Sequence, residues 1–172
     1  MNDKKPVTIK HSVRFITYAA VIAAIYVVLT VFINAFNLAS GAIQVRISEA
    51  LTILPVFTPA AIPGLAIGCL ISNTVTGCHI LDIIFGTAAT LIGAVGTRLL
   101  RKTRILVYLP PILSNAVIVP LVLKYAYGLS DAYWFLFVTV GAGEVISAGI
   151  LGAILKTVLN KNKNVIFKEE EI

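Results

Sequence analysis

Residues 47–73 read ISEALTILPVFTPAAIPGLAIGCLISN, and the way this stretch crosses an apolar medium decides the fold. It is either one long helix or a hairpin of two short ones. Pro59 and Pro63 stand near its middle. Proline lacks an N–H and biases the residue before it away from helical geometry, so a reversal of the chain belongs there. The arms, 47–58 and 60–73, each rise only about 20 Å against a hydrocarbon core of about 30 Å.

Four flanking runs are easier to place: residues 15–36, 80–100, 105–123 and 132–159. Each approaches or exceeds the roughly 20 apolar residues that a spanning helix needs. The first is too long for the apolar region of a cleaved signal peptide, so it is read as a retained span. Positive charge then chooses between the two readings of 47–73. With five spans, Arg98, Arg101, Lys102 and Arg104 fall on the opposite side from the N-terminal Lys4, Lys5, Lys10 and Arg14. With six, both clusters and the C-terminal Lys156, Lys161, Lys163 and Lys168 fall together. That gathers 12 of the 14 Lys and Arg on the cytoplasmic side, leaving Arg46 and Lys124. The bias of short cytoplasmic loops toward Lys and Arg favours six spans with both termini inside.

Composition agrees. Of 172 residues 58% are hydrophobic and only 13% charged, against about 25% charged in an ordinary soluble domain. The net charge of +6 sits in loop clusters, so it marks membrane topology and not a nucleic-acid surface. Two cysteines, Cys69 and Cys78, are too few for a disulfide framework and are read as thiols. The expected architecture is an all-α integral membrane protein with one domain. Residues 1–14 form a cytoplasmic segment, 15–159 the six-helix unit with short, Pro-broken second and third spans, and 160–172 a solvated cytoplasmic tail.

Ionisable groups at membrane depth are costly and mark functional sites. Here they are Arg46, Glu49, Asp82 and Glu144, accompanied by the amides Gln44, Asn73 and Asn115. All fall in the outer half or near the middle of the six-span arrangement. Each has a structural alternative. Arg46 and Glu49 can pair across one helical turn. Asn73 and Asp82 can cap helices. Asn115 can bond backbone freed by Pro110 and Pro111. Glu144, in a Gly141-Ala-Gly-Glu144 run of small residues, has no such simple partner. Tyr125, Tyr127, Tyr133, Trp134 and Phe135 read as an interfacial belt. One or two of them, Trp134 among them, can stack on a flat ligand. Four-residue spacings of small side chains (Ala19/Ala23, Ala20/Ala24, Gly64/Gly68, Ala89/Gly93, Ala148/Gly152) allow close helix approach. The first-helix alanines stand apart as a stripe that a partner subunit can meet.

Gln44-Val-Arg46-Ile-Ser48-Glu49-Ala50-Leu51 with Leu54-Pro55 is similar to the signature of QueT-type queuosine-precursor transporters. The block from Pro63 to Asn73, Asp82-Ile-Ile-Phe85-Gly86-Thr87, Pro110-Pro111 with Asn115, and Gly143-Glu144 extend the resemblance over nearly the whole chain. It implies a substrate-binding S component of an energy-coupling-factor (ECF) importer in the bacterial plasma membrane. Such a subunit captures a 7-deazaguanine such as preQ0, preQ1 or queuine at the outer face. It docks a transmembrane coupling protein through a small-residue stripe, which Ala19, Ala20, Ala23 and Ala24 resemble, and two cytoplasmic ATPases drive it. No G-x-x-x-x-G-K-[ST] loop occurs in this sequence, so the ATP chemistry belongs to partners. For such a base, Glu144 is expected to accept the adjacent N–H donors. Asn115 or Gln44 is expected to donate to the ring oxygen, and Asp82 or Glu49 to meet an aminomethyl cation. No cofactor is expected. The competing readings are an S component for another vitamin, a stand-alone secondary carrier, and an intramembrane enzyme. No internal repeat supports the carrier, and no H-E-x-x-H or Ser-His constellation supports the enzyme.

Overall fold

The computed structural model describes residues 9–35 and 45–167, and every regular element among them is helical. In chain order they are α1 (Ile9–Ala35), a 3-10 helix (Ile47–Val56), α2 (Ala61–Val75), α3 (Ile80–Leu99) and α4 (Leu109–Tyr125). A continuous last helix follows, made of α5 (Tyr133–Glu144), a π-helical stretch (Val145–Leu151) and α6 (Gly152–Ile166). Four of the resulting spans are long and apolar enough to cross a membrane, and two are shorter. Large apolar side chains such as Ile16, Val28, Phe32, Ile92 and Ile154 point outward, as a lipid environment allows. The inner core gathers Tyr26, Leu51, Leu54, Leu65 and Cys69.

The stretch 47–73 is a hairpin. Its first arm is wound as a 3-10 helix and not as the expected α-helix. The winding has a geometric consequence. At about 2.0 Å rise per residue instead of about 1.5 Å, a short arm reaches farther into the membrane. Turn residues 57–60 reverse the chain, with the Thr58 hydroxyl accepting from the Ala60 N–H at 3.2 Å. Pro63 then falls in the first turn of α2, where a missing N–H leaves no bond unmade.

Side-chain contacts fix which ends share a side. The Arg98 guanidinium, at the end of α3, donates to the Pro55 carbonyl at 3.0 Å. Tyr18, near the start of α1, donates to the Ile166 carbonyl at the end of α6. The Phe167 ring stacks on Phe57 with centroids 5.3 Å apart. The last helix continues to Ile166 with Lys161, Asn162 and Lys163 exposed, and Phe167 is held against the hairpin turn.

Glycines set the closeness of the packing. Gly64 and Gly68 of α2 lie directly against Ala19, Ile22, Ala23 and Tyr26 of α1, and Gly93 and Gly96 of α3 against Pro110, Pro111 and Ser114. This divides the alanine stripe. Ala19 and Ala23 are buried against α2 and are not available to a partner, whereas Ala20 and Ala24 remain exposed. The four-residue spacing on α2 selects the matching spacing on α1, and that pairing is internal.

The start of α1, the hairpin turn, the end of α3 and the end of α6 share one end of the bundle, together with Arg101, Lys102 and Arg104. That end is expected to be cytoplasmic. A cysteine placed at Thr103, in an otherwise cysteine-free chain, should resist membrane-impermeant maleimide in intact cells and react after permeabilisation. Labelling before permeabilisation would invert the topology.

Candidate functional site

A cavity of about 640 Å³ opens at the end opposite the basic loops. Its walls come from the last turns of α1 and α2, the N-terminus of the 3-10 helix, the start of α3 and the first turns of α5. The loops at its mouth turn through Gly77 and Gly128, both at positive φ (72° and 67°), a conformation open to glycine at little cost. The cavity lies beside the short 3-10 arm, where the bundle lacks a full-length helix to fill the membrane depth.

Of the ionisable and amide residues singled out at membrane depth, three line this space: Arg46, Asn73 and Asp82. Arg46 is half-buried at the N-terminus of the 3-10 helix. Its first electrostatic partner is Asp82, with Glu49 a lesser one. Asp82 does not cap α3. His79 does, accepting from the Leu81 N–H at 3.2 Å. Asp82 Oδ2 instead accepts from the Tyr127 hydroxyl at 3.1 Å, and that hydroxyl accepts from the His79 N–H at 3.1 Å. Burial, with the Asp82 charge beside it, pushes the Tyr127 phenol up to about 12, so it stays a donor. Asn73 does not cap α2 either: its amide N–H₂ faces the Asp82 carbonyl at 3.5 Å and Cys69 Sγ at 3.6 Å.

Beneath the cavity lies a second, fully enclosed polar group. Glu49 accepts from the Tyr26 hydroxyl and, at 3.5 Å, from the Asn115 amide. Asn115 therefore serves Glu49 and not the backbone near Pro110. It also reaches Glu144, the last residue of α5 before the helix widens into its π-helical stretch. Glu144 Oε2 and Ser147 Oγ are buried without a partner. Stretches of π-helix inside α-helices are frequent at functional sites. Glu49, Asn115 and Glu144 are brought together, but none of them lines the cavity.

Trp134 is 72% exposed and lies outside the cavity. Tyr127 and Phe135 are the aromatics that line it. Gln44 lies outside the described residues. Tyr26, the hydroxyl partner of Glu49, was not legible as a site residue, because an aromatic on an apolar helix carries no polar signature. Cys69 is buried and Cys78 half-buried at the cavity wall. No group of three or more potential metal ligands occurs among the described residues.

The profile of the family described as QueT transporter matches residues 16–161, from the first helix to the last. The chain belongs to the QueT transporter family. It is thus a multi-pass protein of the cell membrane and a member of a transporter family, not an enzyme family. A curated protein from Lactococcus lactis subsp. cremoris (strain MG1363), named Queuosine precursor transporter QueT, is 37% identical to it over 73 residues. That stretch covers 42% of this chain and 43% of the relative, so it spans less than half of the relative's length. No solved structure matches this QueT family member.

Proposed function

We propose that this chain is the substrate-binding S component of an ATP-driven ECF importer, and that its cavity captures a queuosine precursor of the 7-deazaguanine type. The observation that carries the reading is the cavity itself, at the end opposite the basic loops and lined by Arg46, Asn73 and Asp82. Its volume falls in the range of about 300–1,000 Å³ usual for small-molecule sites. A flat bicyclic base with several N–H donors suits buried carboxylate acceptors, and Tyr127 and Phe135 offer ring contacts. The name of the Lactococcus relative agrees with the substrate class. The enclosed Glu49–Asn115–Glu144 group lies beneath the cavity without lining it. The exposed Ala20 and Ala24 give α1 a flat outer face for a transmembrane coupling protein, through which two cytoplasmic ATPases act. Arg46 and the basic loops then stand at opposite faces of the membrane.

Calorimetric titration of the purified chain in detergent should show binding of 7-deazaguanines and none of thiamine or riboflavin. Tight binding of a vitamin instead would reassign the substrate while keeping the architecture. In proteoliposomes, uptake should require the coupling protein, both ATPases and internal ATP. Uptake by the chain alone, driven by an ion gradient, would place it with secondary carriers.

A further inference from the structure

We propose that Asp82 and Asn73, which both line the cavity, read the edge of the ligand, and that Glu144 does not; this rests on the deazaguanine reading above. Four buried side-chain oxygens among the described residues lack a hydrogen-bond partner: Asp82 Oδ1, Thr87 Oγ1, Glu144 Oε2 and Ser147 Oγ. Of the four residues, Asp82 is the one that lines the cavity. It is only 5% exposed, and its other oxygen is held by the Tyr127 hydroxyl at 3.1 Å. The side chain is thus fixed in orientation with one acceptor unspent. A buried carboxylate oxygen left unpaired is costly, and a ligand N–H relieves that cost with a charge-assisted bond.

Asn73 supplies the complementary group. Its amide nitrogen is buried, and its two contacts, at 3.5 and 3.6 Å, are at the long limit. A well-formed N–H···O bond is nearer 2.9 Å, so this donor is free to take a better acceptor. Gly86 brings the pair together. A Cβ built on Gly86 would stand 3.2 Å from Asn73 Nδ2 and 3.2 Å from Asp82 Oδ1. Donor and acceptor therefore both pack closely over Gly86, where any side chain would press on them. An acceptor beside a donor complements a cis-lactam edge, where a ring N–H adjoins a carbonyl. Guanine-type bases carry that edge. In 7-deazaadenine held in the same orientation the ring nitrogen is an acceptor and the exocyclic group a donor, the reverse pattern. Arg46 lines the same cavity and compensates Asp82 when the ligand excludes water.

The test is a pair of titrations, 7-deazaguanine and 7-deazaadenine, on the full chain in detergent. The wild type should prefer 7-deazaguanine. In Asp82→Asn the amide oxygen keeps the Tyr127 bond and the new N–H₂ takes the place of Oδ1, facing the ring N–H. Affinity for 7-deazaguanine should fall about 30- to 100-fold, while 7-deazaadenine binds as well as before or better. A loss of packing would weaken both bases alike, so the change in preference reports recognition itself. Gly86→Ala should weaken 7-deazaguanine about tenfold, because the methyl crowds both partners. Glu144→Gln should stay within about threefold of wild type, since its side chain is outside the cavity. If Asp82→Asn is not recovered folded, Gly86→Ala and Glu144→Gln decide by the same titrations. Unchanged affinity and preference in Asp82→Asn and Gly86→Ala would overturn this assignment. Absence of 7-deazaguanine binding by the wild type would overturn the proposed function and this inference with it.

Discussion

Gly68→Leu should prevent recovery of a folded chain, and Gly64→Ala should lower the unfolding midpoint clearly. A Cβ on Gly68 would lie 2.8 Å from the Tyr26 Cβ and 3.1 Å from both the Ala23 Cα and its carbonyl oxygen. A Cβ on Gly64 would lie 2.7 Å from the Ala19 carbonyl oxygen and 3.2 Å from the Ala19 Cα. These neighbours are mostly backbone and cannot rotate aside, so α1 and α2 must separate. One added methyl in a tight contact costs about 1–3 kcal/mol, and a leucine multiplies the displacement. Total stability of a domain is only about 5–15 kcal/mol. Gly141→Ala is the control. There the nearest atom to a new Cβ is the Ala116 Cβ at 3.6 Å, an ordinary contact, and the substitution should be neutral or stabilise by up to about 1 kcal/mol. Thermal unfolding and size-exclusion profiles in detergent would check all three. A monodisperse Gly68→Leu protein with the wild-type midpoint would show that α1 and α2 do not pack in this way.

The hairpin was legible because two independent signals coincide at one place. Pro59 and Pro63 break the helix where the Lys and Arg clusters require an extra crossing. The winding of its first arm was not legible, since 3-10 and α-helices share composition and differ in how far a fixed number of residues must reach. The glycines of α2 were readable as a close-packing face, but a spacing does not name its partner. Both α1 pairs, Ala19/Ala23 and Ala20/Ala24, fit the spacing, and only the rotation of α1 about its axis separates the buried pair from the exposed one. The polar residues were found by type, while the choice between ligand contact and helix capping stayed open. Asp82 and Asn73 looked like caps because they stand near helix ends, and His79 took the cap at α3 instead. The partner that fixes Asp82, Tyr127, comes from a loop far along the chain. Glu144 drew attention as a lone carboxylate on an apolar helix, yet depth along a helix does not reveal whether a cavity reaches it.

Glu49→Ala should destabilise the fold even without ligand, and a compensating pair of substitutions should restore much of the loss. Glu49 accepts from the Tyr26 hydroxyl and the Asn115 amide in a region closed to solvent. Removing the carboxylate orphans both donors, each at a cost of about 1–3 kcal/mol. Hydrogen bonds between membrane helices are often weaker, about 0.6 kcal/mol on average and up to about 1.7. The lower end would apply if neighbouring groups re-pair. Glu144 is the acceptor at hand for Asn115, so the Tyr26 hydroxyl should carry most of the penalty. Tyr26 is 1% exposed and lies against Gly68, which leaves its ring no room to swing toward another acceptor. Glu49→Leu alone should therefore cost more than Glu49→Leu combined with Tyr26→Phe. Replacing both members of a buried polar pair by apolar groups is nearly neutral, whereas removing one is not. A double-mutant cycle on unfolding midpoints measures this directly. Additive effects, with no recovery in the double variant, would mean that the Tyr26–Glu49 bond contributes nothing to stability and that Glu49 is held by Asn115 and Arg46 instead.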